Sequence, residues 1–329
     1  MKLSLFYRHP SPQYHSIEQL FDTISSNYLP EIKVKKVYAK YRSKGFINRI
    51  LIGLDARKSQ SEINHITGDI HFIAPFLKKK KTILTIHDIG SIKSGNSLKK
   101  WLLKLFWFTI PIKSVAYITV ISEFTKKELL DYLRINPAKV VVIPNCISSV
   151  YQPKVKEFNV KKPIILHIGT KRNKNLDRLI VAVKDISCKL VIVGKLNNEQ
   201  LNQLNQDRIE YENYFNIDEN ELLNLYYKSD IVSFVSTYEG FGLPVLEANA
   251  VGRVVITSNI EPMNTVAGSA AYKVNPFDVN EIRKGIQTLI KDSILRGKLT
   301  EEGLNNVKKY SAKSIAKQYE NLYVKLKND

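Results

Sequence analysis

The chain has 329 residues, of which 44% are hydrophobic and 25% are charged, and its formal net charge is +19. This length suits two ordinary domains, and no stretch reaches the roughly 20 apolar residues that a membrane-spanning helix needs. The two cysteines exclude a disulfide framework and suit a reducing cytosol, and no CxxC or HxxxH spacing indicates a zinc site. The opening MKLSLFYRHP lacks the long apolar run of a secretory signal, so we expect a cytoplasmic protein.

The positive charge is concentrated in the first half of the chain. Residues 1–155 contain 25 Lys and Arg against 10 Asp and Glu, whereas residues 156–329 contain 25 against 21. Such a field favours an anionic partner, which could be a nucleic acid, an acidic substrate or an anionic membrane face.

Apolar, strand-like runs alternate with amphipathic segments along the chain, which predicts an α/β fold with parallel sheets. In the first half, strands are expected at residues 2–7, 32–38, 63–66, 82–87, 116–121 and 139–143. A polar, proline-broken segment at 150–162 marks a domain boundary. Beyond it, strands are expected at 164–168, 190–193, 209–211, 231–236 and 254–257, before helices from about residue 278. Two doubly wound halves would bind ligands beyond the carboxyl ends of their strands.

The segment STYEGFGLPVLEANAVG, residues 236–252, follows one of these predicted strands. Its glycines and Pro244 predict a tight turn and then a helix, since proline suits the first helical position. Amides at a helix start attract anions, while Glu239 and Glu247 could accept hydrogen bonds from hydroxyl groups. Phosphate and hydroxyls together indicate a nucleotide sugar. The alternative is a plain connection whose glycines only permit a sharp turn.

Polar residues also follow three other predicted strands. The loop GTKRNKN, residues 169–175, combines a glycine with cations as a diphosphate site requires, although it could be a solvated basic loop. His87 could orient a hydroxyl or donate to a developing charge, or Asp88 could simply hold a structural histidine ring. His65, Thr67 and Asp69 could line a cleft or form a turn.

Taken together, these segments resemble the family 4 retaining glycosyltransferases. The most specific feature is EGFG followed by a second glutamate, from Glu239 to Glu247. Weaker matches occur in the family's order at His87-Asp88 and at residues 120–127, 143–145, 169–176 and 222–230. The resemblance therefore covers nearly the whole chain.

The resemblance implies a GT-B fold, with two facing Rossmann-like domains, parallel sheets and a C-terminal helical tail. Residues 1–155 would form the N-terminal, acceptor-side domain and residues 156–305 the domain that binds the nucleotide sugar. A helix at 306–329 would pack back toward the first domain. The resemblance implies no cofactor and no metal, only a nucleoside diphosphate sugar as the donor substrate.

The same resemblance assigns residues to the site. The donor-binding positions would be Gly169, Arg172, Lys174, Glu239, Gly240, Phe241, Gly242, Leu243 and Glu247. Glu239 and the turn amides would contact sugar and phosphate, Glu247 the ribose, and Lys174, helped by Arg172, the diphosphate. Lys174, Glu239 and His87 would be catalytic, with His87 touching the transferred sugar. Same-face attack with retention is implied, and cations and helix amides would stabilise the leaving diphosphate.

Four positions depart from the family pattern. Residues 8–16 contain no glycine where many members have a glycine-rich loop, and Ser16 could cap the helix that follows. Thr170 stands where an arginine is frequent, Cys146 replaces a common glycine, and Thr265 replaces a frequent glutamate. None of these changes removes the core signature.

Two basic segments, Lys78–Lys81 and Leu98–Ile110, could contact the surface on which the acceptor lies. Four apolar residues of the second could share one helical face: Trp101, Leu102, Leu105 and Phe108. Such a helix suits either an anionic membrane interface or a domain core with a wet edge. The interface would suit a peripheral enzyme on the inner membrane face that uses a glycan or lipid-linked glycan acceptor for cell-surface polysaccharide.

Other classes of protein are also compatible with parts of the pattern. A non-catalytic basic protein that binds a membrane or nucleic acid would explain the charge, but it leaves the two glutamates unexplained and no nucleic-acid-binding motif is present. An epimerase or phosphorylase could share the fold. We therefore expect a glycosyltransferase without a nucleic-acid partner.

Overall fold

The computed structural model describes residues 1–10, 16–90, 101–102 and 104–328, which form two compact units. Unit 1 consists of Met1–Ser148 and Ala312–Asp329, and unit 2 of Ser149–Ser311. The division lies before the predicted boundary at residue 155, because the linking segment is held by unit 2. The amide of Lys154 donates to the carbonyl of Val251, and Lys156 forms an ion pair with Asp230.

Unit 1 is built on parallel strands in the order β2-β1-β3-β4-β5-β6. Its strands are β1 (Lys2–Tyr7), β2 (Lys33–Tyr38), β3 (Ile63–Ile66), β4 (Thr82–Ile86), β5 (Tyr117–Val120) and β6 (Val140–Val142). The helices among them are α1 (Ser16–Ser25), α2 (Phe46–Lys58), α3 (Ile110–Lys113) and α4 (Glu123–Tyr132), with a 3-10 helix at His71–Phe76 and a π-helix at Lys104–Thr109. All six strands lie close to the predicted positions. Five of them are short, largely apolar runs between turn residues, whereas β2 has the sequence KVKKVY and no buried residue.

Unit 2 has the strand order β12-β11-β10-β7-β8-β9, again parallel. Its strands are β7 (Ile164–Ile168), β8 (Lys189–Val193), β9 (Tyr211–Tyr214), β10 (Ile231–Phe234), β11 (Val254–Ser258) and β12 (Tyr272–Val274). Its helices are α5 (Leu176–Val183), α6 (Asn198–Gln206), α7 (Glu219–Lys228), α8 (Leu243–Ala250), α9 (Met263–Ala267), α10 (Val279–Lys291) and α11 (Ser293–Asn306). In chain order this is the doubly wound 3-2-1-4-5-6 arrangement, whose order reverses between β7 and β10.

The last helix, α12 (Ala312–Asn328), returns to unit 1. Its residues Tyr319, Tyr323 and Leu326 are buried in one cluster with Leu5 of β1 and Phe21 of α1. α12 thus covers one face of the unit 1 sheet. The predicted tail at 306–329 begins a few residues too early, since Asn306–Tyr310 stay in unit 2, where Asn306 donates to the carbonyl of Val266.

A buried hydrogen-bond network ties α12 to the sheet. The Nδ1 of His65 lies 2.8 Å from the hydroxyl of Tyr323, and its Nε2 lies 2.7 Å from the hydroxyl of Thr85. Tyr323 is also 3.0 Å from the hydroxyl of Tyr28. Burial lowers the pKa of His65 to about 3, so the ring is neutral. His65 is therefore a core residue and lines neither a cleft nor a surface turn.

The basic aromatic segment of the sequence is partly core and partly exposed. Trp101 and Leu102 are exposed, whereas Phe108 is buried, so they do not share the predicted face. The reason is the π-helix at Lys104–Thr109, which changes the spacing of side chains along the helix. Leu98–Lys100 and Leu103, like residues 11–15 and the side chain of Ser16, lie outside the described residues. No helix in the described ranges is both long and apolar enough to cross a membrane.

Candidate functional site

Two loops of unit 2 meet where its strand order reverses. One follows β7 and the other follows β10, and these strands are neighbours in the sheet. The amide of Thr237 donates to the carbonyl of Asn173 over 2.8 Å, and the side-chain amide of Asn173 donates to the carbonyl of Tyr238 over 3.0 Å. The reversal point is where doubly wound sheets bind ligands, so the paired loops form the candidate site.

In the first of these loops, the side chain of Lys174 packs against the backbone of Gly169. Gly169 has φ +97°, and a Cβ at this position would lie 2.6 Å from Cγ of Lys174. Glycine is therefore needed both for the backbone angle and for the path of the lysine chain. Lys174 Nζ donates to Glu239 Oε1 over 2.7 Å and lies 4.9 Å from the centre of the Phe234 ring. The two side chains, 22% and 14% exposed, are close enough to the surface for a ligand to reach.

Asn175 holds the start of α5 against the second loop. It is buried with φ 66°, and its side-chain amide donates to the carbonyls of Val235 and Pro276 over 2.9 and 2.7 Å. Its Oδ1 accepts from Arg178 over 2.9 Å. Asparagine tolerates left-handed backbone better than most residues, which explains its use here. The loop that carries Lys174 is thus fixed at both ends.

The EGFG turn leads directly into α8. Gly242 has φ +111° and precedes Leu243, the first residue of the helix, so Pro244 occupies the second position instead of the first. Phe241 is buried, and its ring packs edge-on against Tyr310 at 5.8 Å. Anchoring of this ring fixes the turn from Gly240 onward. The amide of Leu243 has no carbonyl within the helix to bind and can therefore receive an anion, whereas Pro244 has no amide hydrogen and the amide of Val245 donates to the carbonyl of Gly242 over 3.0 Å.

Glu247 lies one turn into α8 and is half-buried. The hydroxyl of Tyr226 donates to its Oε2 over 2.5 Å, and the Tyr226 ring packs edge-on against Tyr151 at 5.7 Å. Burial raises the pKa of Glu247 to about 7; the Tyr226 hydrogen bond and the charge of Lys174 act to lower it, and Glu219 acts to raise it. The hydrogen bond from the buried Tyr226 to Oε2 thus fixes the orientation of the Glu247 carboxylate.

Unit 1 carries its own polar residues at the strand ends. His87 Nε2 lies 2.8 Å from the carbonyl of Thr67, and because a carbonyl can only accept, Nε2 carries the hydrogen. Burial lowers the pKa of His87, so the ring is neutral and Nδ1 is left as an acceptor. Asp69, His87 and Asp88 line a cavity of about 420 Å³. Asp69 also forms an ion pair with Arg8.

Arg8 occupies the region where the sequence lacks the expected glycine-rich loop. Its guanidinium binds both oxygens of Glu18 over 2.8 and 3.0 Å, in addition to Asp69. Thr67 donates its hydroxyl to the carbonyl of Phe6. A salt-bridged arginine therefore ties the ends of β1 and β3 together.

The predicted site residues fall into two groups. Those of unit 2 cluster at the strand reversal: Gly169, Arg172, Lys174, Glu239, Gly240, Phe241, Gly242, Leu243 and Glu247. Arg172 is exposed in a 3-10 turn beside them, and His87 belongs to unit 1. Two residues of the cluster were not predicted, Asn173 and Tyr226. Their contacts with Tyr238 and Glu247 join segments far apart in the chain, so no local spacing reveals them.

Comparison with protein families covers most of the chain. Residues 151–306 match the family Glycosyl transferases group 1, and residues 24–149 match Glycosyltransferase Family 4. The chain belongs to the group 1 glycosyltransferases. The boundary between the two matches lies at residues 149–151, next to the division between the two structural units.

Curated relatives of this glycosyltransferase include mannosyltransferases of Escherichia coli. It is 27% identical to O-antigen chain mannosyltransferase B over 74% of this chain and 70% of the relative. It is 25% identical to serotype-specific mannosyltransferase WbdA over 59% of this chain, but spans only 27% of that longer protein. These relatives agree with the family matches in being glycosyltransferases, and what they transfer is treated below as a proposal.

Among solved structures, HepE from Anabaena in complex with UDP and glucose matches with a TM-score of 0.80 and 13% identity, covering 99% of this chain and 100% of HepE. This likeness shows the fold, which is GT-B: two Rossmann-like domains with parallel sheets and a C-terminal helix. Within the described parts of the glycosyltransferase, no group of three or more His, Cys, Asp or Glu residues could hold a metal ion.

Proposed function

We propose that this glycosyltransferase moves a sugar from a nucleoside diphosphate donor to a glycan or lipid-linked glycan, with retention and without a metal ion. The observation that carries the proposal is the pairing of Lys174 with Glu239 at 2.7 Å, beside the first turn of α8. A cation, a carboxylate and the Leu243 amide at the start of a helix, within one small region, match a ligand that carries both phosphates and hydroxyl groups.

Each predicted residue then has one task in donor binding. Lys174, with Arg172 nearby on the surface, would neutralise the diphosphate, which exchanges for Glu239 as the partner of the ammonium group. Gly169 leaves room for the Lys174 side chain to pass over the loop, and the amides from Gly240 to Leu243 would contact sugar and phosphate. Glu239, released from the lysine, would accept hydrogen bonds from the sugar. Glu247 would accept them from the ribose.

The proposed chemistry is same-face attack by the acceptor hydroxyl as the diphosphate departs. The main charge to stabilise develops on the leaving group, and fixed cations and helix amides do this without reorganising. His87 is neutral with Nδ1 as an acceptor, so its proposed role is to accept a hydrogen bond from a hydroxyl of the transferred sugar. This differs from donation to a developing charge, which would need a protonated ring.

The names of the relatives suggest which sugar and acceptor to test first. Two related proteins are mannosyltransferases, one of them of the O-antigen chain, and HepE was solved with UDP and glucose. We therefore propose assembly of a cell-surface polysaccharide, with mannosyl and glucosyl donors as the first candidates. The proposed location is the cytoplasm, with peripheral attachment to the inner face of the membrane.

Thermal unfolding with a panel of UDP-, GDP-, ADP- and dTDP-sugars tests donor binding. A donor that binds only the folded state raises the melting temperature. At a donor concentration of a hundred times its Kd, the free energy of unfolding increases by about 2.7 kcal/mol. We expect one donor to do so for the wild type and not for Glu247→Ala. Glu301→Ala, at an exposed glutamate of α11 in the same unit, should keep the full shift. No shift with any donor, for a folded protein, would favour a non-catalytic basic protein that binds membranes or nucleic acid.

The stereochemistry and the metal requirement are tested with the donor so identified. Product formed with excess EDTA present should carry the donor's anomeric configuration, as read from the one-bond C–H coupling of the new glycosidic linkage by NMR. An inverted linkage contradicts retention. Activity that is lost with EDTA and restored by a divalent cation contradicts the metal-independent mechanism.

A further inference from the structure

Helix α2 has two apolar faces, only one of which is used by the fold. Ile52, Gly53 and Ala56 are buried in unit 1. Phe46 and Ile47 are 71% and 72% exposed, and Leu51 and Leu54 continue the same outer stripe at helical spacing. A surface helix normally places polar residues on its outer face. The outer stripe of α2 therefore has no function in the described fold.

An apolar groove lies beside this stripe. It has a volume of about 810 Å³, and its lining is almost wholly apolar or aromatic: Phe46, Ile50, Phe72, Phe76, Phe106 and Trp107 are among its residues. Arg49 lies 4.5 Å from the Trp107 ring, which is in turn 5.4 Å from Phe72. Phe106 is 47% exposed at its rim, and Trp101 is 57% exposed in the same segment. Stripe and groove together form a continuous surface, here called the α2 face.

Cations surround the α2 face at both ends of the helix. Lys40, Arg42 and Lys44 precede α2 and are exposed, and Arg57 and Lys58 form its last turn. The acidic residue of α2, Asp55, is already paired with Lys40 at 3.3 Å. Apolar and aromatic side chains with a basic rim are the composition of surfaces that rest in an anionic lipid interface.

We propose that the α2 face docks this protein on an anionic membrane surface, with Phe46, Ile47 and the rim of the groove inserted among the acyl chains. A second copy of the chain would also cover apolar area, but a symmetric contact would bring two identical basic rims together. Lys81, predicted to face a membrane, instead donates to the carbonyls of Leu326 and Lys327. The contact surface thus differs from the lysine run predicted from sequence.

The two tryptophans of the chain, Trp101 and Trp107, both lie in or beside the α2 face, so their fluorescence reports on it directly. Full-length protein is titrated with vesicles of phosphatidylglycerol and phosphatidylethanolamine, and in parallel with phosphatidylcholine vesicles. We expect a blue shift of the emission and co-sedimentation with the anionic vesicles, weakening as salt is raised. Acyl chains brominated near the head group should quench the emission. Equal binding to neutral vesicles, or no change in emission, overturns the proposal.

The variant that decides the surface is Phe46→Ser with Ile47→Ser. Loss of two inserted apolar side chains should weaken vesicle partitioning by on the order of a hundredfold. The matched control is Ile294→Ser, at a residue of unit 2 that is 86% exposed, and it should bind as the wild type does. Full binding by the double variant overturns the proposal, as does a wild-type dimer in light scattering that the same two changes dissociate.

Donor-induced thermal stabilisation is measured on the same samples, because membrane docking does not rest on the proposed donor chemistry. We expect the double variant to keep the donor shift of the wild type. A double variant that has lost both the donor shift and cooperative unfolding is misfolded; the single Ile47→Ser change then replaces it, with an expected loss of about tenfold. Single-variant binding equal to that of Ile294→Ser overturns the proposal.

Discussion

Burial of Glu247 favours its neutral, protonated form, whereas ligand binding favours its ionised form. Burial raises its pKa to about 7, yet a ribose hydroxyl binds best to an ionised carboxylate. Tyr226 offsets part of the burial effect by donating to Oε2. Donor affinity should therefore rise as the pH passes through about 7. Because the binding site is partly enclosed, the Glu247 carboxylate is only partly ionised near pH 7 in the free protein.

The same pKa makes a prediction for the stability of Glu247→Gln. The folded-state pKa lies above the ordinary value of 4.5, so Glu247 contributes stability below that value and loses the contribution as the pH rises through about 7. Glutamine is neutral at every pH and keeps the contribution. We expect the variant to exceed the wild type by on the order of 2 kcal/mol at pH 8, and by little at pH 4.5. Urea unfolding at both values measures this difference.

Glu301→Gln, at an exposed position of α11, is the control and should follow the wild type at both pH values. A wild type as stable as Glu247→Gln at pH 8 would contradict the raised pKa. At the level of single residues, the sequence motif predicted site positions at Lys174, Glu239 and Glu247, and the structure places Lys174 and Glu239 in contact. It did not identify Tyr226, because that contact forms only after α7 and α8 pack together.

The short β7–α5 loop determines the position of the Lys174 side chain. A strand, one glycine, a 3-10 turn and a left-handed asparagine bring Lys174 back over its own loop. The loop is fastened to the β10–α8 turn by Asn173 and Asn175. The lysine is thus positioned by backbone conformation more than by side-chain packing.

Gly169→Ala tests this arrangement. Its φ of +97° is unfavourable for alanine, and the new Cβ would meet Cγ of Lys174 at 2.6 Å. We expect a loss of about 1 to 3 kcal/mol in the free energy of unfolding and a loss of donor-induced stabilisation, measured by thermal unfolding with and without donor. The control is Gly297→Ala in α11, where a Cβ meets nothing within 4 Å and alanine favours the helix. Wild-type donor stabilisation in Gly169→Ala would contradict the positioning of Lys174 by this loop.

Most elements could be predicted from the sequence, and the exceptions have physical causes. β12 was missed because Tyr272–Val274 is short and only partly buried, so it lacks an apolar run. β9 was placed too early, since Ile209 supplies the apolar signal while the ladder with β8 begins at Tyr211. The exposed stripe of α2 could not be predicted either, because the sequence does not show which of the two apolar faces of this helix its neighbours bury.

The two units differ in how many segments of the chain build them. Unit 2 is one continuous segment with its own core, whereas unit 1 is completed by α12 from the far end of the chain. α12 supplies Tyr319, Leu322, Tyr323 and Leu326 to one face of the unit 1 sheet and pairs with the buried His65. The alternation of strands and helices predicted both Rossmann-like units, and the family resemblance predicted that the last helix packs back toward the first; the core residues that it supplies there are seen only in the structure.

Truncation before Ala312 should therefore unfold unit 1. Large buried side chains are each worth about 2 to 5 kcal/mol, so the loss of four of them is as large as the whole 5–15 kcal/mol stability of a typical domain. Both tryptophans belong to unit 1, so we expect red-shifted emission in native buffer and no cooperative tryptophan transition in urea. Val324→Ser, on the exposed side of α12, should retain the native spectrum. A native emission spectrum from the truncated chain would show that α12 is dispensable.

The return of α12 also sets the order in which the protein can be completed on the ribosome. The strands of unit 1 are synthesised first, but the helix that covers them follows Ser149–Ser311. At about 5 to 20 residues per second, that interval lasts roughly ten to thirty seconds. During it the sheet face of Leu3 and Leu5 lacks the side chains of α12 and has only those of the first part of the chain, such as Phe21, against it. At the end of the interval unit 2 has every residue of its own core, whereas unit 1 does not. The second unit in the chain should thus be the first to finish folding, and chaperones should bind the nascent protein mainly through unit 1.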